Sequence, residues 1–244
     1  MREQMRSELV KLRSTRTNLG LLLGMVGLVL LIVIITGAAV TPAELAKDEH
    51  QRALFGLGLA GGFIASLIGV MSITSEFRHG TIRPTFVFTP RRGRVVSAKV
   101  LSSFILGVIF GVITEAVAFG VGLAILAIRG VDVVVPTHEL LLVAMGSIAC
   151  AALMAALGVG VGAVARNQVL AVIGVIVWFM VVENVVVSAW PQVGKFFPLA
   201  AGDAMTGINA DQLLPASQGA LVLVGYVLVF FVAALAVTQR MDVK

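Results

Sequence analysis

The sequence predicts an all-α membrane protein with six transmembrane helices. Of its 244 residues, 59% are hydrophobic and only 13% are charged, and the mean hydropathy is +1.03. Soluble domains are about 45–50% apolar and about 25% charged. The apolar residues fall into six runs that are each long enough to cross a bilayer, which takes about 20 helical residues. All seven prolines fall outside these runs, as expected for helices, because proline interrupts a helix.

The chain is expected to be one domain, residues 1–244, and its parts follow from the positions of the runs. Residues 1–17 repeat both apolar and basic residues at helical spacing, which predicts an amphipathic helix on the membrane surface. Residues 190–217 are too polar for a span and too long for a tight turn. The predicted spans are residues 19–40, 53–73, 95–128, 140–165, 169–189 and 219–238.

Residues 74–99 form the long polar stretch between the second and third spans. Thr81 can cap a short helix, because its side chain can accept a bond from a free backbone N–H. Pro84 then falls in the first turn, where its missing N–H costs little. The stretch contains one acid, Glu76, and six basic residues: Arg78, Arg83, Arg91, Arg92, Arg94 and Lys99.

The expected short helix carries an apolar patch made of Ile82, Phe86 and Val87, with Arg83 beside it. A small amphipathic helix on a basic base can lie across a groove on a partner protein. The same composition also suits a loop that binds lipid headgroups. Both interpretations remain open on the residues alone.

The basic residues predict the topology. Only four of the 18 lysines and arginines fall on the side opposite the N-terminus and the 74–99 stretch: Lys47, Arg52, Arg129 and Lys195. Because cytoplasmic loops carry the excess of basic residues, both termini are expected in the cytoplasm of a multi-pass cell-membrane protein. The first turns of the third run, with Arg94 and Lys99, are expected to project there too. The net charge of +5 therefore reflects the topology of the chain in a lipid bilayer and does not indicate nucleic-acid binding.

Two acidic residues lie inside predicted spans, Glu115 in the third and Glu183 in the fifth, beside Asn184. A charge at the bilayer centre costs about 2.5–3.5 kcal/mol on insertion scales, so such residues usually face a bundle interior, a cavity or a partner. The two glutamates are candidates for a substrate path or a dimer seam. The alternative is a protonated glutamate bonded to a neighbouring helix.

Glycines recur along several spans, including Gly69 in the second, Gly107 in the third and Gly158 in the fourth. Small residues let helices approach closely in lipid, so a compact bundle is expected. The sequence has neither a GxxxxGK[ST] phosphate loop nor an HExxH zinc motif, and no catalytic constellation is evident. The chain is therefore not expected to be an enzyme, and neither a cofactor nor a metal site is expected in it.

The central stretch resembles the loop between the second and third spans of ABC-2-type transporter permeases. The residues that carry the resemblance run from Glu76 through Phe77, Arg78, Gly80 and Thr81 to Ile82 and Arg83, followed by Pro90-Arg91-Arg92 and Lys99. The six spans, the amphipathic start and the polar segment before the last span are also similar to that family. So are the segments Phe196–Ala201 and Arg240–Val243.

The resemblance implies the membrane subunit of an ATP-driven exporter. Two permease subunits, identical or different, would pair. Each would dock a cytoplasmic coupling helix, about residues 81–89 and including Phe86, on a separate ATP-binding subunit that holds ATP and Mg²⁺. Residues 190–217 would form re-entrant outer helices. The main rival is an ion-coupled secondary transporter that uses Glu115 and Glu183, and a structural membrane protein is a third possibility.

Overall fold

The computed structural model describes residues 16–81, 92–207 and 213–239, and these residues are helical with no strand among them. Six helices are long and apolar enough to cross a membrane. The predicted all-α class and the six spans are therefore confirmed. Residues 1–15, which make up most of the predicted surface helix, and residues 82–91, which include Ile82, Arg83 and Phe86, lie outside the described residues.

The helices are numbered here in chain order. The six long ones are α1 (Arg16–Ala39), α3 (Asp48–Arg78), α4 (Arg92–Arg129), α5 (Thr137–Ala165), α6 (Gln168–Ala189) and α9 (Ala216–Gln239). The short ones are α2 (Pro42–Leu45), α7 (Pro191–Gly194) and α8 (Pro198–Met205). A 3₁₀ turn at Gly56–Leu59 interrupts α3, and a π-helical turn at Trp178–Val182 interrupts α6.

Local sequence explains where several helices begin and end. Thr41 and Glu44 form a capping box at the start of α2, and the Asn167 side chain accepts bonds from the first free N–H groups of α6. Gly80, just beyond α3, has φ +68°, a left-handed conformation that glycine adopts without strain. Pro42, Pro191 and Pro198 each start a short helix, where a missing N–H is harmless.

Polar contacts identify the two ends of the bundle. At the end termed here the basic end, Arg78 of α3 bonds to Gln168 of α6, and Arg166 reaches the Val237 carbonyl of α9. At the opposite end, the Arg129 guanidinium donates to carbonyl groups at the end of α1. The side-chain amide of Gln51, fully buried, bonds to the loop before α5 at that end.

Helix α5 is the centre of the bundle, since it contacts α3, α4, α8 and α9. Glycines on both sides bring the backbones together. A Cβ atom added at Gly69 of α3 would overlap the Ala155 carbonyl of α5, and one added at Gly158 would overlap the Ser66 carbonyl. Gly107 of α4 and Gly160 of α5 make similar approaches to α5 and to Phe230 of α9. The expected compact, glycine-packed bundle is therefore confirmed.

The helices extend beyond the predicted spans. The second long helix, α3, begins at Asp48. The third, α4, begins at Arg92 and covers 38 residues. Lys99, in the first turns of the third run, is buried within the bundle with 1% of its surface exposed. Sequence hydropathy did not predict this burial, because the ionic partner that makes it possible is on another helix.

Replacing Gly158 by alanine should loosen the contact between α3 and α5, because the new methyl group meets backbone atoms that cannot rotate away. Overpacking of this kind costs about 1–3 kcal/mol. Gly24→Ala on α1 is the matched control, since nothing lies within 4 Å of an added Cβ there. Thermal unfolding in detergent should show a lowered midpoint for Gly158→Ala and an unchanged or raised one for Gly24→Ala. Equal midpoints would show that the close approach is not a stability determinant.

Candidate functional site

The helices that flank the basic loop are joined by a buried ion pair. The ammonium group of Lys99 on α4 lies 2.8 Å from a carboxylate oxygen of Glu76 on α3, and it also contacts the Ser72 carbonyl at 3.3 Å. Glu76 is 8% exposed and Lys99 1%. Removing one partner of such a pair costs about 3–5 kcal/mol, because the other charge stays buried without compensation. The pair therefore fixes the last turns of α3 to the first turns of α4.

Some of the predicted coupling residues pack inside the bundle and others are exposed. Phe77 packs against a core cluster that includes Ile73, Val96 and Val159, so it belongs to the bundle. Arg78, Gly80 and Thr81 are exposed at the basic end. The motif thus has a buried part that joins α3 to its neighbours and an exposed part at the basic end, from which Arg78 still bonds to Gln168 of α6.

Glu183 contacts the backbone of α8. Its carboxylate accepts a 2.8 Å hydrogen bond from the Ala200 N–H in the first turn of α8, and its side chain is buried. The residue that precedes this helix, Phe197, supplies no side-chain cap. Carboxylates favour helix N-termini, where backbone N–H groups are free and the helix dipole is positive. Glu183 therefore caps α8 from a neighbouring helix.

The π-helical turn explains how Asn184 is placed beside it. The turn shifts the hydrogen-bond register of α6, and the Asn184 amide donates to the Phe179 and Met180 carbonyls. Asn184 is exposed, whereas Glu183 is buried. The two neighbours therefore do different things, and they do not form one polar patch.

Glu115 lies in a different place, between α4 and α5. It is 3% exposed, and the Ser147 hydroxyl of α5 is close to its carboxyl group. Neither the two carboxyl oxygens nor the hydroxyl has a hydrogen-bond partner of acceptable geometry among the described residues. Glu115 also borders an otherwise apolar cavity of about 350 Å³. An acid with unsatisfied oxygens beside a cavity is a candidate for contact with something outside this chain.

Asp203 on α8 is a half-buried acid that the sequence analysis did not single out. Burial raises the pKa of its carboxyl group to about 7. The available signal was an acid among small apolar residues in the stretch Pro198–Met205. The Glu76–Lys99 pair also went unpredicted, although its signal was present: an acid and a base at the ends of the two helices that flank one loop. Among the described residues, no cluster of His, Cys, Asp or Glu could hold a metal ion.

Comparison with known proteins agrees with this architecture. Residues 5–184 match the family described as ABC-2 family transporter protein. A search of curated proteins finds no significant match. The matched region covers most of the chain and includes α1 to α5, the basic loop and the Glu76–Lys99 pair. The chain is therefore a multi-pass membrane protein and transport component that belongs to the ABC-2 transporter family.

Proposed function

We propose that this chain is the permease subunit of an ATP-driven ABC exporter, which pairs with a second permease and docks on a separate ATP-binding subunit. The observation that carries the proposal is the match to the ABC-2 family over a chain that has six long apolar helices. Members of this family generally act with an ATP-binding subunit and another permease. ATP and Mg²⁺ would be bound by that partner, and both termini of this chain would lie in the cytoplasm.

The buried ion pair supports the docking part of the proposal. Residues 81–89 would form the coupling helix, and Glu76 and Lys99 hold its two flanking helices together. Phe77 connects the same region to α5 and α9 through its core cluster. A displacement of the loop would therefore move α3 and α4 together, and it would also displace the central helix α5.

The contacts of α7 and α8 support the expectation of re-entrant helices in residues 190–217. The Phe197 ring lies 5.6 Å from the Trp178 ring, although α6 continues for eleven more residues beyond Trp178. At 1.5 Å per residue, those eleven residues span about 16 Å. The chain must therefore return by about that distance alongside α6. Such segments persist at membrane depth only where protein covers their polar groups, as Glu183 does for α8.

Glu115 is the better candidate for the substrate path or dimer seam, because its oxygens lack partners among the described residues and Glu183 is engaged with α8. In an ion-coupled transporter, Glu183 would have to give up its hydrogen bond to the Ala200 N–H in order to bind an ion. The family match does not favour that alternative.

Purification of the chain from its native membrane in mild detergent tests the main proposal. A co-purifying ATPase with a phosphate loop, at one copy per permease, is the expected result. Transport into vesicles that persists without ATP and follows an ion gradient would overturn it.

Charged substitutions in the expected coupling helix should release the ATPase. Ile82→Glu combined with Phe86→Glu removes the apolar patch, so ATPase association should fall at least tenfold while the permease stays folded. Val133→Glu is the control, because Val133 is exposed at the opposite end of the bundle. Pull-down with a tagged permease measures the association, and an undiminished yield would contradict docking through this segment.

The Glu76–Lys99 pair should behave as a coupled unit in a double-mutant cycle. Glu76→Gln and Lys99→Met should each lower the free energy of unfolding by about 3–5 kcal/mol, because each leaves a buried charge without its partner. The double variant should lose less than the sum of the two. Additive losses would show that the two side chains do not act together.

Glu115→Gln should change substrate-stimulated ATPase activity of the assembled complex without lowering expression, because it keeps the shape of the side chain and removes the charge. Ser147→Ala tests the neighbouring hydroxyl in the same assay. Unchanged activity in both variants would show that Glu115 has only a packing role.

A further inference from the structure

An apolar groove lies between α6 and α9, and α5 forms its floor. Its volume is about 350 Å³, within the range of small-molecule sites of about 300–1,000 Å³. Aromatic rings of Trp178, Tyr226 and Phe230 form much of the wall. Gly174 also lines the groove, and nothing lies within 4 Å of a Cβ added there. The missing side chain therefore leaves the groove open toward the outside of the bundle.

The groove is closed at one end by the returning chain. Phe197 and Pro198 line it there, and Phe197 is in ring contact with Trp178. Trp178 is ten residues from the start of α6, which corresponds to about 15 Å along the helix. The hydrocarbon core of a bilayer is about 30 Å thick. Gly174, the groove residue nearest to that start, is six residues from it, so the groove walls lie about 9–15 Å from the basic end, a depth that corresponds to the inner half of one leaflet.

A basic residue lies between the groove and the membrane surface at the basic end. Arg166, in the turn between α5 and α6, is exposed, and its guanidinium reaches the Val237 carbonyl of α9 at 3.5 Å. It thus connects the two elements that form the groove walls. The turn holds Arg166 in the left-handed conformation, with φ 53°. A fixed arginine at a membrane-surface position is suited to a phosphate group, which it can bind through two N–H donors.

We propose that this groove binds one acyl chain of an anionic phospholipid from the leaflet at the basic end, with the lipid phosphate paired to Arg166. The apolar wall matches the chain, the depth of the groove matches the inner half of a chain from that leaflet, and the charge of Arg166 matches the headgroup. A second copy of the protein fits less well, because it would bring two Arg166 side chains to the same side of one interface. The site needs neither the ATPase nor a transport substrate, so its test is independent of the proposed function.

Tryptophan fluorescence can report occupancy of the groove. The chain has two tryptophans, and Trp190 is exposed near the far end of α6, so a full-length Trp190→Phe protein retains Trp178 as its reporter. The probe is phosphatidylglycerol brominated at carbons 9 and 10 of its acyl chains, added to the protein in detergent. Quenching should saturate near one lipid per chain. The matching brominated phosphatidylcholine should bind about fivefold more weakly, since one basic residue near an anionic surface contributes about 1 kcal/mol.

Two variants separate the groove from the headgroup contact. Gly174→Leu fills the groove and should reduce saturable quenching at least threefold, while Gly120→Leu, at an equally open glycine on α4, should leave it unchanged. Arg166→Asn removes the charge and keeps a residue that tolerates the left-handed conformation. It should abolish the preference for phosphatidylglycerol while quenching by both lipids persists.

Three results would overturn the proposal. Quenching that never saturates and is unaffected by Gly174→Leu would mean contact with bulk lipid only. Equal affinity for both headgroups in the protein with Arg166 intact would remove the role of the arginine. Absence of quenching, together with a cross-linked dimer that Gly174→Leu disrupts, would show that a second copy fills the groove.

Discussion

The buried ion pair between Glu76 and Lys99 governs how the basic end of the bundle is built. Both side chains are almost fully buried, so each of these charges depends on the other for compensation. That requirement sets the rotation of α3 and α4 about their axes and their relative height. The packing of Phe77 against Ile73, Val96 and Val159 depends on this relative position of α3 and α4. The basic loop is thus mounted on a rigid base, although it is the most polar stretch of the chain.

Glycines extend this rigidity to the middle of the membrane. Helices gain little from burying apolar side chains against each other in lipid, because lipid tails are equally apolar, so close backbone contact and polar bonds must stabilise the bundle. Gly69, Gly158 and Gly107 allow α3 and α4 to approach the backbone of α5. By contrast, α1 and α9 keep most of their apolar surface exposed. The exposed helices leave their apolar surface available to lipid, while α3 to α5 form the closely packed frame of the bundle.

The sequence predicts the fold further than it predicts the site. Hydropathy and proline positions identified all six helices, because membrane crossing imposes a length and a polarity that are local properties of the chain. They did not reveal that Lys99 is buried, because the reason lies 23 residues away on another helix. Glu183 was recognised as unusual, but its bond to Ala200 depends on how far the chain returns after α6, which no local pattern encodes. Asp203 was missed for the same reason, since its partial burial depends on where α8 packs against α5 and α9.

Helix α8 is held at three points that each depend on a different neighbour. Glu183 of α6 caps its N-terminus, Gly146 of α5 meets its last residue, Met205, and Gly219 of α9 meets the Ala201 carbonyl. Asp203 of α8 is half-buried, and partial loss of water around its carboxyl group raises its pKa to about 7. A change in the spacing of α5, α6 and α9 must therefore alter at least one of these contacts. Since α5 is also joined to the Glu76–Lys99 base through α3 and α4, a displacement at the basic loop and a displacement of α8 are mechanically linked by one central helix.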